Sequence, residues 1–286
     1  MEGFLDTADH LNARQFLIAV KKLADALSYG TDKSPFLGSG IEYAQSRAYQ
    51  LGDPVRSIDW RVTARMGKVF VKEYEAPKQL PCYLMVDTSA SMTVTSVKRS
   101  KYATAVHIAG GLAFACLDRV SPVGVVGVGG RTVRVEPSLS RGQILQWLHA
   151  FRRFRYDEPT TLGRKIAELA PTLSHRCLVI VLSDLHDEAA VPALKLLAQR
   201  HDCVVLQLQD PAELGLRGAG FLRAGEAETG RVFVTRSSRQ WVEPEGIARE
   251  LRRAGVDHLL IRTDQPFAAD LRNFLKARNV LGRGRR

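Results

Sequence analysis

From residue 81 onward, apolar runs alternate with segments of helical periodicity. The apolar runs, rich in Val, Ile and Leu, cover residues 82–86, 123–128, 177–182, 203–208 and 257–262. The helical patterns lie near residues 97–119, 140–154, 161–173, 189–200, 238–254 and 266–278. Apolar strands separated by helices are typical of a parallel sheet covered on both faces. The sequence therefore predicts an α/β fold with a doubly wound, mainly parallel sheet.

Two further segments complete the predicted architecture. The stretch from Arg131 to Glu136 alternates in polarity after Gly129-Gly130, which predicts a hairpin and one antiparallel edge strand. Residues 6–28 have helical spacing, with Asp6 or Thr7 available as the capping residue. We expect two units: residues 1–80, an N-terminal helix and a short strand and turn segment packed on the core, and residues 81–286, the sheet domain.

The region between them has short segments that are separated by turn residues. Residues 41–74 contain the turns Gly52-Asp53-Pro54 and Met66-Gly67-Lys68. The second turn is expected to join two strands, the latter ending in Val69-Phe70-Val71.

Composition limits the class of protein. The chain of 286 residues has a formal net charge of +11, but most arginines are spread along helical segments and only Arg283 to Arg286 are concentrated. No basic motif with interleaved aromatic residues accompanies them, which disfavours nucleic acid as a partner. No apolar run is long enough to span a bilayer and no signal pattern opens the chain, so we expect a cytoplasmic protein without a membrane partner.

The four cysteines, Cys82, Cys116, Cys177 and Cys203, each lie in an apolar segment, and no two form a C-x-x-C pair. This distribution predicts small buried core residues rather than disulfides or zinc ligands.

A group of oxygen-bearing side chains follows the first apolar run of the sheet domain. Asp87, Ser89 and Ser91 come directly after residues 82–86 and form the pattern D-x-S-x-S. Ligands of open α/β sheets bind beyond the carboxyl ends of the strands. Carboxylate and hydroxyl oxygens suit Mg²⁺ or another hard divalent cation such as Mn²⁺. The motif alone is weak, because the same residues are ordinary helix caps.

Two later segments strengthen the metal hypothesis. The run 177–182 ends in Ser183-Asp184, which brings a second carboxylate to the carboxyl end of a buried strand, and Thr160 or Thr161 opens a helix before it. If the two strands are neighbours, both carboxylates share one crevice, where each loses hydration beside a like charge. A divalent cation would offset that repulsion.

This order of motifs resembles the metal-ion-dependent adhesion site of von Willebrand factor A-type domains. The resemblance implies that an ion is held by Asp87, Ser89, Ser91, Thr160 and Asp184, some of them through water. The family pattern places the threonine ligand two residues before the apolar residue that opens the helix, which favours Thr160 over Thr161. It also implies that a carboxylate from a partner protein takes the remaining position on the ion.

A second resemblance covers the preceding part of the chain. Residues 47–60, RAYQLGDPVRSIDW, together with Ala64-Arg65 and residues 71–75, VKEYE, resemble the signature of the "domain of unknown function 58" family. Members carry this block immediately before a von Willebrand A-like domain, and many are encoded beside MoxR-type AAA+ ATPases. The resemblance therefore implies an adaptor or assembly role with such an ATPase.

The residues of this block also allow an interpretation that does not depend on the family resemblance. Arg56 and Asp59 lie three apart and can pair along a helical turn, and Trp60 is large enough to anchor the block to the sheet domain. Two compatible hypotheses remain for the block: a structural collar on the core and a partner-binding surface.

Enzymatic alternatives find little support. A haloacid-dehalogenase-type phosphatase needs a second aspartate as general acid where this chain has Ser89. A hydrolase built from Ser89 or Ser91 with Asp184 and His186 lacks the G-x-S-x-G elbow, and no phosphate loop occurs. We read His186 as a loop residue and His107 as a core residue. The sequence predicts a non-enzymatic interaction protein, with a metal-dependent phosphohydrolase and a nucleic-acid binder as alternatives.

Overall fold

The computed structural model describes residues 2–4, 13–28, 43–50, 55, 58–74, 80–131, 133–214, 221–225, 232–236 and 244–281. The strands are β1 (Glu2–Phe4), β2 (Tyr43–Ala48), β3 (Phe70–Tyr74), β4 (Cys82–Asp87), β5 (Val123–Val128), β6 (Arg134–Ser138), β7 (Arg153–Arg155), β8 (Leu178–Ser183), β9 (Asp202–Gln209), β10 (Phe221–Gly225), β11 (Val232–Arg236) and β12 (Asp257–Arg262). The helices are α1 (Ala13–Ser28), α2 (Trp60–Met66), α3 (Ala90–Thr93), α4 (Lys101–Asp118), α5 (Arg141–Phe151), α6 (Leu162–Leu169), α7 (Ala190–Leu197), α8 (Pro244–Arg253) and α9 (Ala268–Leu281).

Six strands form the central sheet, in the order β12-β9-β8-β4-β5-β6. All neighbours are parallel except β5 and β6, which pair antiparallel. The predicted doubly wound sheet with one antiparallel edge strand is therefore confirmed. From β4 the chain continues to β5 and β6 on one side, and then crosses to β8, β9 and β12 on the other. The strand order thus reverses between β4 and β8, where such sheets form a ligand crevice.

Each predicted apolar run of the sheet domain coincides with a strand, except that Cys177 precedes β8, and each predicted helical segment contains a helix. The helix predicted near residues 140–154 ends earlier, at Phe151, because Arg153–Arg155 form β7.

The two faces of the sheet bury separate cores because successive strand residues point to opposite sides. On β4, Leu84 and Val86 face the layer that contains α1, α4, α5 and α9, whereas Tyr83 and Met85 face α6, α7 and α8. Both faces of the sheet are covered, as its continuous apolar strands require.

The N-terminal helix α1 belongs to the first of these layers. Leu23, Ala24 and Leu27 are buried in the same core as α4. This agrees with the expectation that the N-terminal helix packs on the core, whereas the division into residues 1–80 and 81–286 stays a prediction. The candidate caps Asp6 and Thr7 lie outside the described residues.

In the signature block, α2 lies between the antiparallel strands β2 and β3. Asp59 caps this helix by accepting hydrogen bonds from the backbone N–H groups of Arg61 and Val62, at 3.1 and 3.2 Å. Gly67 ends it with φ +67°, a left-handed conformation that favours glycine. The expected turn between two strands was wrong, because Gly67 joins a helix to a strand.

Trp60 does not anchor the block. Its side chain is 67% exposed, and no residue of α2 is buried. The predicted role of Trp60 in packing was wrong because the aspartate cap starts the helix with this residue facing solvent. Arg56, which was expected to pair with Asp59, lies outside the described residues.

Short antiparallel pairs occur beside the main sheet: β1 with β7, and β10 with β11. The sequence patterns did not predict them. The four cysteines are buried and free, which confirms their reading as core residues. Among the residues described, no helix has both the length and the apolar character that a membrane span requires.

Candidate metal centre

Asp87 ends the buried strand β4 and lies at the carboxyl edge of the sheet, fully buried. Its Oδ1 accepts a hydrogen bond from the backbone N–H of Ser89 at 3.0 Å. Its Oδ2 accepts one from the Ser183 hydroxyl at 2.5 Å. The register of β4 against β8 places Val86 opposite Leu182, so the next residue of each strand meets at the same edge. Parallel pairing therefore delivers Asp87 into the crevice between the strands.

The two serines of the D-x-S-x-S pattern lie at the start of α3. Their hydroxyl oxygens are 3.0 Å apart. The Ser89 side chain also hydrogen-bonds to Asp87, and the Ser91 side chain hydrogen-bonds to Asp184. The serines therefore connect the carboxylates of two neighbouring strands.

Asp184 follows β8 and is also buried. Its Oδ2 accepts a hydrogen bond from the Lys101 ammonium at 2.8 Å, and the same oxygen lies 3.4 Å from Nδ1 of His186. Four of the predicted site residues, Asp87, Ser89, Ser91 and Asp184, are thus linked within one crevice by hydrogen bonds and charge.

The two carboxylates differ in their electrostatic setting. Burial raises the pKa of Asp87 to about 7, and the negative charge of Asp184 adds to the shift. Burial alone would also raise the pKa of Asp184, but the charges of Lys101 and His186, with hydrogen bonds from Lys101 and Ser91, lower it below the usual value. The crevice thus favours negative charge on Asp184 and opposes a second negative charge on Asp87.

The third predicted segment lies directly before α6. The backbone N–H of Ala90 donates to the carbonyl of Glu158 at 2.8 Å, so this segment touches the loop that follows Asp87. The hydroxyl of Thr161 donates to the carbonyl of Gly129 at 3.2 Å, whereas Thr160 is half-buried beside it. The segment that holds both threonines therefore adjoins the crevice.

Glu158 holds three loops together at this edge. Its buried carboxylate accepts hydrogen bonds from the Thr88 hydroxyl at 2.7 Å and from the backbone N–H of Arg131 at 2.9 Å. A Cβ atom at Gly129 would overlap with Thr88 Oγ1 and with Glu158 Oε1. The close approach of these loops therefore requires glycine at position 129.

Sequence reasoning missed three side chains at the crevice. Lys101 begins α4 and its ammonium bonds the carboxylates of Asp184 and Glu213. Glu213, the second of these missed residues, lies in the 3-10 turn Pro211–Leu214 after β9. Ser183, noted only as the neighbour of Asp184, bonds Asp87. The position of Glu213 just beyond an apolar run was a usable signal. A lysine at a helix start carried no comparable signal.

The side chains present fit a hard divalent cation. Carboxylates and hydroxyls are the ligands that Mg²⁺ and Mn²⁺ prefer. The Lys101 ammonium bonds Asp184, so one positive charge of the chain itself already lies at the crevice. Ligand atoms of Asp184, His186 and Glu213 also lie within 4.8 Å of one another, an arrangement compatible with a divalent metal.

The chain belongs to the family described as protein of unknown function DUF58, whose sequence model matches residues 45–253. That match includes the signature block and the whole candidate site.

Proteins of similar sequence or structure align with most of the chain. Uncharacterized protein Rv1480 of Mycobacterium tuberculosis and Uncharacterized protein Mb1516 of Mycobacterium bovis are each 27% identical, over 93% of this chain and 88% of their own length. Among solved structures, BatB of Bacteroides thetaiotaomicron is similar with a TM-score of 0.46 and 19% identity, over 70% of this chain and 99% of BatB. The SpRpn10 VWA domain is similar with a TM-score of 0.40 and 12% identity, over 68% of this chain and 94% of that domain. Likeness at these levels does not define what the protein binds.

Proposed function

We propose that the protein is a non-enzymatic, cytoplasmic interaction protein that uses a bound divalent cation to engage a partner protein. Asp87, Ser89, Ser91, Thr160 and Asp184 would hold Mg²⁺, or Mn²⁺ in its place. When bound, the cation would supply a Lewis-acidic position for a carboxylate of the partner. The chain's own residues would fix the ligand oxygens and keep bulk water from the buried side of the site.

One observation carries this proposal: two buried aspartates lie at the ends of neighbouring parallel strands, and the hydroxyl of Ser183, the residue before Asp184, donates a hydrogen bond to Asp87 at 2.5 Å. Two like charges in a buried crevice are unfavourable unless a positive charge accompanies them. Lys101 bonds Asp184 directly, and no cation in the described part of the chain bonds Asp87. A divalent cation between the carboxylates would satisfy both.

Thr160 remains the proposed threonine ligand because the resemblance to the adhesion-site pattern favours it. The Thr161 hydroxyl is engaged with the carbonyl of Gly129, on the neighbouring turn. That bond holds the start of α6, and the carbonyl of Glu158, two residues before Thr160 in the chain, accepts a hydrogen bond from the Asp87 loop.

We further propose a MoxR-type AAA+ ATPase as the partner, docked in part on α2. Trp60 and Met66 are 67% and 62% exposed, and aromatic residues and methionine are enriched in protein interfaces. The exposed basic side chains Arg61, Arg65 and Lys68 lie on the same short segment. A partner surface with acidic side chains around an apolar contact fits this composition.

Calorimetric titration with Mg²⁺ tests the metal site. Asp87→Asn keeps the shape of the side chain and removes its charge, so we expect the variant to fold and to lose measurable Mg²⁺ binding. Asp264→Asn is the matched control, because Asp264 follows the edge strand β12 and pairs with Arg262 away from the crevice. Equal affinity of the wild type and Asp87→Asn would contradict the proposed site.

A pull-down tests the partner. The protein is used as bait against the purified ATPase, with Mg²⁺ or with a chelator, and Asp184→Asn serves as the metal-site variant. We expect capture that depends on Mg²⁺ and is lost in the variant. Capture that is unchanged by chelation would refute the metal-dependent mode of binding.

A further inference from the structure

Lys101 is the least expected charged residue of the crevice. Its side chain is 1% exposed, and its ammonium bonds Asp184 Oδ2 at 2.8 Å and the carboxylate of Glu213. Burying an ammonium is strongly unfavourable unless carboxylates compensate its charge. Position 101 is also the first residue of α4, where the helix dipole disfavours positive charge. The lysine is therefore held in place by its two carboxylates.

Those two carboxylates differ in their relation to the proposed metal site. Asp184 is one of the proposed ligands and is fully buried, whereas Glu213 is 17% exposed and comes from the turn after β9. Asp184 Oδ2 already binds the ammonium, so a divalent cation that takes this oxygen has to compete with Lys101. Glu213 offers the ammonium a second acceptor outside the proposed ligand set.

The turn that holds Glu213 is itself fixed to the loop before α4. The Asp210 carboxylate accepts hydrogen bonds from the backbone N–H of Ser96 and from that of Ala212, both at 2.9 Å. Asp210 thus ties the turn to the chain segment that leads into Lys101. The position of Glu213 beside the ammonium is built into the fold.

We propose that Lys101 is an internal counter-cation that competes with the divalent metal for Asp184, and that Glu213 favours metal binding by retaining the ammonium when Asp184 is given up. This inference rests on the proposed metal site and names how its affinity is regulated. Lys101 neutralises Asp184 in the metal-free protein, and the Lys101–Glu213 pair remains once a divalent cation has taken that role. Movement of the Pro211–Leu214 turn, by a partner for example, would then change the affinity for the metal.

Mn²⁺ binding, followed by electron paramagnetic resonance and calorimetry, tests the inference. Lys101→Met removes the competitor, so we expect binding tighter by about ten- to a hundredfold, the range that a close charge pair gives. Glu213→Gln leaves the ammonium with Asp184 as its only carboxylate, so we expect binding weaker by about tenfold. Lys195→Met is the control, because Lys195 is partly exposed and pairs with Glu250 outside the crevice.

Opposite shifts in these two variants support the inference, because general loosening of the fold would weaken binding in both. If the wild type binds Mn²⁺ and Lys101→Met binds it with equal or weaker affinity, the inference is overturned and the metal site stands. Absence of Mn²⁺ binding in the wild type and in all variants would overturn both. If Lys101→Met does not fold, Lys101→Gln and Glu213→Gln provide the same contrast, and equal affinities in these two would overturn the inference.

Discussion

The crevice at the carboxyl edge of the sheet and the helix α2 distribute polar and apolar groups in opposite ways. In the crevice, Asp87, Asp184 and Lys101 are buried, whereas on α2 the large side chains of Trp60 and Met66 face solvent. Buried charges are destabilising unless they are paired, and exposed apolar side chains contribute little to stability. The crevice is therefore sensitive to any change of charge, whereas α2 tolerates substitutions that would damage a core.

The largest effect on stability is expected from Lys101→Met in the presence of a chelator. Removing one partner of a buried ion pair leaves an uncompensated charge, here on Asp184, which costs about 3–5 kcal/mol. Thermal or urea denaturation measures the loss, and saturating Mn²⁺ is expected to restore part of it. If Lys101→Met loses no more stability than the exposed control Lys195→Met, the contrast between the two regions does not hold.

A pH-dependent loss of stability is expected from Asp87. Because the pKa of Asp87 in the folded protein, about 7, lies above its usual value of 3.8, the folded state keeps a proton that the unfolded chain has released. The free energy of unfolding should therefore fall as pH rises from about 4 to about 7, by at most about 1.4 kcal/mol per pH unit. Asp184, whose pKa is lowered, loses its contribution only at lower pH, below its usual value.

Urea denaturation at a series of pH values without metal measures how the free energy of unfolding depends on pH. Asp87→Asn carries no titratable group at position 87, so we expect a weaker dependence on pH in this variant. The same pH dependence in wild type and variant would show that another group is responsible.

A smaller effect is expected at the start of α2. Asp59 caps the helix and also accepts a hydrogen bond from the Ser46 hydroxyl at 2.9 Å. Asp59→Ala should lower the free energy of unfolding by about 1 kcal/mol, the usual value for an N-cap. Mn²⁺ affinity should not change, because the helix lies outside the crevice. A loss of metal binding in this variant would show that the two regions are coupled.

The smallest effect on stability is expected for Trp60→Ser. Because the side chain is largely exposed, the free energy of unfolding should change by less than about 0.5 kcal/mol. Trp147→Ala is the matched comparison: this tryptophan is 3% exposed, and its loss should cost about 3–5 kcal/mol. Under the proposed function, Trp60→Ser should still weaken ATPase capture. A large loss of stability would favour the structural collar over the partner-binding surface.

Much of the fold could be predicted from periodicity. The apolar runs from residue 82 to residue 208 are fully buried strands or nearly so, and the edge strand β12 is half-buried. Only a few arrangements of alternating strands and helices cover both faces of a sheet. The short pairs β1–β7 and β10–β11 could not be predicted in this way, because strands of three to five residues give too little pattern.

The candidate site was only partly predictable for the same physical reason. Asp87 and Asp184 come at the ends of apolar runs. The rule that ligands bind at the carboxyl ends of strands therefore identifies both as candidate ligands. The contacts of Lys101 depend on strand order, which places the turn after β9 beside β8. For Trp60, hydrophobicity indicated burial, but the Asp59 cap starts the helix at this residue and leaves its side chain exposed.

Anomalous diffraction at the manganese absorption edge, from crystals grown with Mn²⁺, would locate the metal in the proposed site. We expect a peak in the crevice, bounded by the carboxylates of Asp87 and Asp184 and the hydroxyls of Ser89 and Ser91, with the Lys101 ammonium on Glu213. An intact fold with no peak in this crevice, and with Lys101 still bound to Asp184 at saturating Mn²⁺, would contradict the proposed site.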